Sequence, residues 1–140
     1  MGIFTGKERR RYIRLATELS VEFKINGEAE DTPWHKGVTR DISLEGLCLI
    51  TDLLPKQEWE EISRKKRHLY LHIDFPRHKE KAEAKVQKIE VGVAWHHREG
   101  KKEGKDIYRI GLQFIEIEKG SLEMIHRYIA DNLITKYKQA

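Results

Sequence analysis

Strict alternation of apolar and polar residues limits the fold of this chain more than any other feature. In residues 69–75, every second residue is apolar and the residues between are polar or charged, as L-Y-L-H-I-D-F shows. Residues 19–25, L-S-V-E-F-K-I, follow the same rule. A period of two places successive side chains on opposite faces of a β-strand, so each segment predicts a strand with one buried face and one wet face.

Other segments extend this pattern to a mainly β fold. Six strands are predicted, over residues 19–25, 34–42, 46–51, 69–75, 86–95 and 107–117. Asn26-Gly27 marks a turn after the first strand, Gly92 a local irregularity in the fifth, and residues 98–105 a solvated hairpin loop before the last. About six antiparallel strands in one short chain favour a small barrel.

Two segments have helical character. Pro55 opens residues 55–67, where Trp59 and Ile62 among many charges predict a short exposed helix inserted between strands. Near the C-terminus the apolar residues recur at helical spacing, and Ser121 is expected to be the N-cap. These apolar residues are Leu122, Ile125, Ile129 and Leu133. We therefore predict a six-stranded antiparallel barrel with a C-terminal α-helix and a short helical insert.

The basic charge of the chain is concentrated at its beginning. The whole sequence has 27 Lys and Arg against 23 Asp and Glu, a net charge of +4. Residues 1–15 hold five basic residues and one acid, so they alone account for this excess. We expect residues 1–15 to be a flexible arginine-rich segment, residues 16–140 to be one barrel domain, and the partner of the segment to be a compact anion.

Composition excludes several classes of protein. The single cysteine, Cys48, lies in an apolar run, which excludes an intrachain disulfide and argues against a reactive thiolate. We find no apolar stretch long enough to cross a bilayer and no signal-peptide core, so we expect a cytoplasmic protein without membrane insertion. The sequence has no nucleophile-elbow motif, no phosphate-binding glycine-rich loop and no paired metal-ligand motif, so neither an enzyme nor a metal or cofactor site is expected.

Two short motifs carry the functional signal. The first is R-x-x-x-R, formed by Arg10 and Arg14 just before the first predicted strand. The second is D-x-S-x-x-G, formed by Asp41, Ser43 and Gly46 between the second and third strands. Each is weak alone, because arginine is abundant here and Asp, Ser and Gly are common in turns. Their order and their placement in a β-rich domain make the combination specific.

The chain resembles the PilZ domains, which bind the bacterial second messenger cyclic di-GMP. The resemblance rests on E-R-R-x-x-x-R, D-I-S-L-E-G, V-G-V-A-W at 91–95, R-I-G-L-Q-F at 109–114 and the terminal helix. It implies a six-stranded barrel and a ligand site of Arg10, Arg14, Asp41, Ser43 and Gly46. Arg9 is at the position that influences whether one ligand or a stacked pair binds. The charged insert of residues 56–67 departs from the family pattern.

The chemistry of cyclic di-GMP fits these residue types. The arginine fork can bond two phosphate oxygens or the O6 and N7 atoms of guanine, and its flat face can stack on a purine. Asp41 can accept from the guanine N1–H and N2–H₂ groups, and Ser43 can donate to a phosphate or base acceptor. Gly46 removes a side chain where the backbone turns or the ligand comes near. Arg11 and Arg40 match no motif position and are additional candidates for phosphate contacts.

Two other functions remain open on the sequence alone. A small barrel that binds RNA or single-stranded DNA would use the same basic segment, with Trp34 or Trp95 as stacking surfaces. That reading leaves Asp41 unexplained, so nucleic acid is the less favoured partner. A PilZ-like adaptor without ligand binding is the other alternative, against which the intact motifs argue. As the sequence shows no second domain, a receptor of this kind is expected to signal to an unidentified protein partner.

Overall fold

The computed structural model describes residues 13–52, 54, 56–75 and 89–139 of the 140. Its elements in chain order are β1 (Leu15–Ala16), β2 (Ser20–Ile25), β3 (His35–Ile42), β4 (Gly46–Thr51), α1 (Lys56–Arg64), β5 (His68–Asp74), β6 (Ile89–Lys102), β7 (Lys105–Ile117) and α2 (Lys119–Gln139).

Six of the strands close into an antiparallel barrel. Their spatial order is β3-β2-β5-β6-β7-β4, and β3 pairs with β4 to complete the circle. The prediction of a six-stranded antiparallel barrel with a C-terminal helix and a helical insert is therefore confirmed. β1 lies outside the barrel, where Leu15 pairs with Ile42 and Ala16 with Asp41 of β3. The sequence analysis missed β1, because two residues are too few to show any alternation.

The inward-facing side chains of the barrel form the core. Alternate residues of β2 and β5 are buried, as their sequence pattern predicts. These residues are Val21, Phe23, Ile25, Leu69, Leu71 and Ile73. From β7 the core receives Tyr108, Ile110 and Leu112.

Helix α1 is more deeply packed than the sequence suggested. Trp59 is 0% exposed and Ile62 is also buried, so the expectation of an exposed helix is wrong. The Trp59 ring lies 6.0 Å from the ring of Phe23, measured between centroids. Two apolar residues three apart share one face of a helix, and this face packs on the barrel while the charged residues remain in water.

Helix α2 begins earlier than expected and rests on the barrel through one stripe. Its first residue is Lys119, and Leu122 N donates to Glu118 O at 3.0 Å. Ser121 therefore lies within the first turn and is not the N-cap. Ile125 and Ile129 are buried as predicted. None of the helices that the structure describes is long and apolar enough to cross a membrane.

The loop expected at residues 98–105 is wrong, because β6 and β7 continue through most of these residues. Both strands continue to Lys102 and Lys105, and only Glu103 and Gly104 form the turn. Both turn residues have positive φ, 53° and 83°, as a two-residue type I′ hairpin turn requires. Neither face of this ribbon is covered by the core, so its strands carry charges on both sides and show no alternation. Register shifts flank Gly92 rather than occurring at it.

Candidate functional site

Described residues from both sequence motifs meet at one pocket on the outer face of the barrel. Arg14, just before β1, lines it together with the turn between β3 and β4 and with parts of β6 and β7. The cavity volume is about 170 Å³. The pocket residues used below are Arg14, Ser43, Glu45, Gly46, Trp95, Gly111 and Gln113. With Asp41, which contacts Arg14, these residues are called the outer-face site.

Arg14 and Asp41 form an ion pair within this site. Their closest atoms, Arg14 Nη1 and Asp41 Oδ1, are 3.5 Å apart, and the side chains are 34% and 22% exposed. The pairing of β1 with β3 explains the contact, because it places Ala16 opposite Asp41 and brings the preceding residues beside the same strand. Asp41 Oδ1 is buried but has no hydrogen-bond donor among the described residues. The carboxylate therefore retains acceptor capacity, which a ligand donor can use.

Ser43 holds the turn that carries the second motif. Ser43 N donates to Gly46 O at 2.8 Å, and Glu45 N donates to Ser43 Oγ at 3.0 Å. The hydroxyl itself donates to Gly46 O over a long 3.4 Å. Hydroxyl hydrogens rotate freely, and this bond is near the limit for a hydrogen bond. Ser43 thus fixes the turn as an acceptor, while its proton is only weakly engaged.

Gly46 is required by the approach of β7. A Cβ at this position would lie 2.0 Å from Leu112 O and 3.0 Å from Gln113 Cα. Both atoms belong to the backbone of the neighbouring strand, so neither can rotate away. The sequence suggested that Gly46 allows either a backbone turn or the approach of a ligand. In the structure, the atoms that require a glycine here belong to the backbone of β7.

Trp95 provides an aromatic surface beside the motif residues. Its side chain is 41% exposed, and a Cβ added to Gly111 would lie 2.3 Å from Trp95 Cε2 and Nε1. The indole therefore lies flat against the backbone of β7 at a position where no side chain intervenes. Arg109 Cζ lies 5.7 Å from the centre of the indole ring, within cation–π distance.

Charged groups converge on the buried thiol of Cys48. Strand pairing places Cys48 between Asp41 and Gly111. Burial, and then the negative charge of Asp41, raises the pKa of Cys48 to about 11, against the lowering effect of Arg109, Arg40 and Arg14. The thiol is thus protonated at neutral pH and unreactive.

Arg40 and Arg109 share one acidic partner at the border of the site. Glu99 lies 3.5 Å from Arg40 Nη2 through one carboxylate oxygen and 3.5 Å from Arg109 Nε through the other. Arg40, predicted as an additional phosphate contact, is therefore held by Glu99 and does not line the pocket. The remaining predicted arginines, Arg9, Arg10 and Arg11, lie outside the described residues.

The histidines that could suggest a metal have other neighbours. His68 Nδ1 forms a short hydrogen bond with Glu90 Oε2, and the ring of His72 stacks on Trp34. Within the described ranges, no group of three or more His, Cys, Asp or Glu residues is arranged to hold a metal ion.

Comparison with known proteins identifies the family. The sequence model of the PilZ domain matches residues 8–131. The chain belongs to the PilZ domain family. A search of curated proteins finds no match.

Solved structures agree with this fold. The PilZ domain of YcgR from Escherichia coli with c-di-GMP is 12% identical, with a TM-score of 0.60 and coverage of 94% of this chain and 95% of that one. The Bacillus subtilis inhibitor of motility MotI/DgrA is 21% identical, with a TM-score of 0.61 and coverage of 94% and 56%. The K. pneumonia MrkH–c-di-GMP complex is 16% identical, with a TM-score of 0.60 and coverage of 94% and 56%. The chain thus spans about half the length of the last two.

The structure brings four of the predicted PilZ-site residues together and places further residues beside them. Arg14, Asp41, Ser43 and Gly46 lie together on one face. Trp95 was expected to stack on bases only in the nucleic-acid alternative, and Arg109 and Gln113 were not predicted as site residues. No local pattern signals this role, because Trp95 and Gly111 become neighbours only through the register of the β6–β7 hairpin. An aromatic residue opposite a glycine can lie flat on the sheet and remain accessible.

Proposed function

We propose that this PilZ domain is a cytoplasmic receptor for cyclic di-GMP, without a catalytic reaction of its own, and that the outer-face site binds the ligand. The observation that carries this proposal is the pairing of Arg14 with Asp41 at 3.5 Å beside the exposed indole of Trp95. An arginine, a carboxylate and an aromatic surface are the groups that a phosphate, a guanine edge and a guanine face require.

Each group has a distinct role in the proposed complex. Arg14 moves from Asp41 to a phosphate, which replaces one anion by another and leaves the carboxylate to accept from guanine N1–H and N2–H₂. Ser43 donates its weakly engaged proton to a phosphate or base acceptor. Trp95 stacks on a guanine, a contact worth about 1–3 kcal/mol per base. Gly46 allows β4 and β7 to approach closely enough to form the floor of the site.

The arginine segment completes the site in this proposal. The pocket volume of about 170 Å³ is below the roughly 300 Å³ at which pockets for whole small ligands begin. It therefore suits one part of the dinucleotide, and Arg9 and Arg10 supply the remaining contacts. Four arginines within six positions repel one another, and two phosphates relieve that repulsion. Ligand binding thus fixes the arginine residues that precede β1 over the barrel, with Arg11 as a further phosphate contact and Arg40 as another once it leaves Glu99, and a partner protein recognises the altered surface.

Isothermal titration calorimetry with cyclic di-GMP tests the site. A hydrogen bond to a charged group contributes about 1.5–3 kcal/mol, so Arg14→Ala and Asp41→Ala should each weaken binding about 10- to 100-fold. The matched controls, Arg64→Ala on α1 and Asp31→Ala in the β2–β3 loop, should bind like the wild type. Full affinity in either site variant would contradict the assignment.

Hydrogen exchange tests the ordering of the arginine segment separately from the ligand site. With cyclic di-GMP bound, amides of the residues that precede β1 should exchange more slowly. If exchange is unchanged while cyclic di-GMP still binds with full affinity, the ordering of the segment is contradicted but the ligand site is not. Salt-sensitive binding of single-stranded RNA, unaffected by cyclic di-GMP, would instead favour the nucleic-acid function that the exposed Trp95 also permits.

A further inference from the structure

A second groove lies on the outer surface, away from the motif residues. It has a cavity volume of about 540 Å³. Strand register places four of its outward-facing residues in one row, because Lys24 pairs with Tyr70, Tyr70 with Glu90, and Glu90 with Glu116. Trp34 and Glu118 also line it. These six residues define what we call the carboxylate groove.

Aromatic and apolar groups form the walls of the carboxylate groove. Trp34 stacks on His72, with ring centroids 4.3 Å apart and planes inclined by 16°. Tyr70 also lines the groove and is 39% exposed, so its ring is accessible to a ligand. Ile89 and Ile117 line the groove as well. The surface therefore favours a ligand with both apolar and charged parts.

The carboxylates are placed where they repel one another. Glu90 and Glu116 are direct cross-strand neighbours, and like charges at such positions are destabilising. Glu90 has His68 as a partner, but the side-chain carboxylates of Glu116 and Glu118 make no ion pair or hydrogen bond within the described part of the chain. Lys24 is the one cation among the described lining residues, and its Nζ is directed to Glu30 O at 2.8 Å rather than to a carboxylate. One lysine against three glutamates gives the described lining residues a net charge of −2, on a protein whose net charge is +4.

We propose that the carboxylate groove binds a basic segment of a partner protein, an extended stretch in which arginine or lysine alternates with apolar residues. A cation beside Glu116 would relieve its repulsion with Glu90, would find a second carboxylate in Glu118, and can also lie over the Tyr70 or Trp34 ring. The apolar residues of the segment would contact Ile89 and Ile117. The proposal goes beyond cyclic di-GMP binding and does not depend on it, since the groove shares no lining residue with the outer-face site.

The size of the groove sets the length of the segment. A row across four strands spans three inter-strand spacings, about 14 Å. An extended chain advances about 3.3–3.6 Å per residue, so roughly four residues of the partner occupy the row. The cavity volume also lies within the range of about 300–1,000 Å³ found for ligand pockets.

Fluorescence polarisation with a labelled short peptide of alternating arginine and leucine tests this proposal. The double variant Glu116→Gln/Glu118→Gln should weaken binding about fivefold, the effect of losing about 1 kcal/mol of ion pairing. The matched double variant Glu58→Gln/Glu103→Gln removes the same charge elsewhere and should bind like the wild type. Replacing arginine by citrulline keeps the shape of the peptide but removes its charge, and should weaken binding about tenfold.

Amide chemical-shift mapping locates the peptide on the folded protein. Shifts centred on Tyr70, Glu90 and Ile117 support the proposal. Equal affinity for the citrulline peptide, equal affinity in Glu116→Gln/Glu118→Gln, or shifts centred on Arg14 and Asp41 would each overturn it. A dimer in sedimentation velocity that Glu116→Gln/Glu118→Gln dissociates would show that a second copy of the chain occupies the groove, which also contradicts a partner segment.

Discussion

Replacing Gly46 with alanine should separate β4 from β7 and destabilise the domain. The new Cβ would lie 2.0 Å from Leu112 O, whereas ordinary contacts begin near 3.4 Å. The strands must therefore move apart by about 1.4 Å. The adjacent hydrogen bond from Phe114 N to Glu45 O, now 2.8 Å, would then exceed 4 Å by this estimate and break.

The expected loss in the free energy of unfolding follows from the backbone groups that lose their hydrogen-bond partners. Leaving the half-buried donor and acceptor of this bond without partners costs about 1–3 kcal/mol each, so the free energy of unfolding should fall by roughly 3 kcal/mol. With an m-value of about 1.5 kcal/mol per molar, the urea midpoint should fall by about 2 M. Because the same movement distorts the turn of Ser43, the folded fraction of the variant should also bind cyclic di-GMP more weakly.

Gly120→Ala is the matched control in the same measurement. Gly120 lies in the first turn of α2, and an added Cβ there meets no atom within 4 Å. Alanine is the better helix former, so the midpoint should be unchanged or higher. A loss below about 1 kcal/mol in Gly46→Ala, with unchanged affinity, would refute the argument that β7 requires this glycine.

Three further substitutions test other parts of the structure. Gly111→Ala should push aside the half-exposed ring of Trp95, at a cost below about 1.5 kcal/mol in the free energy of unfolding. The fluorescence of Trp95 should shift and cyclic di-GMP binding should weaken. Unchanged emission would contradict the close contact of the Trp95 ring with Gly111. Burial raises the pKa of Cys48 from 9.0 to about 11, so folding favours the protonated thiol and stability is lost as pH rises through this interval. Between about pH 8 and about pH 10.5 the wild type should lose on the order of 2 kcal/mol more than Cys48→Ala in urea unfolding, and parallel losses would contradict this. Trp59→Ala should cost about 3–5 kcal/mol in thermal unfolding, and a loss under about 1 kcal/mol would show that α1 is not part of the core.

The sequence predicts those elements of the fold whose two faces have different environments. β2 and β5 alternate because one face packs on the core and the other meets water. The outer half of the β6–β7 hairpin has no such difference, so charges on both faces made it resemble a loop. β1 is fixed by its pairing with β3 rather than by any pattern of its own.

The sequence predicts those residues of the candidate site that belong to a recognisable motif. Arg14, Asp41 and Ser43 follow from the motifs, but their proximity follows from the β1–β3 register, which two residues cannot encode visibly. The accessibility of Trp95 depends on a glycine 16 positions later, which becomes its neighbour only once the hairpin forms. Contacts of this kind depend on long-range pairing, so local pattern does not predict them.

The long β6–β7 ribbon has a consequence for aggregation. β5 pairs with β6 only as far as Gly92, so from Val93 to Lys102 the second edge of β6 has no neighbouring strand among the described residues. Such an edge offers free backbone donors and acceptors to any other extended chain. Its register shifts and its charged residues, including Glu99 and Lys101, oppose that pairing. Solubility at high concentration therefore depends on surface side chains outside the core of the barrel, and replacing them by apolar residues should promote edge-to-edge aggregation of the domain.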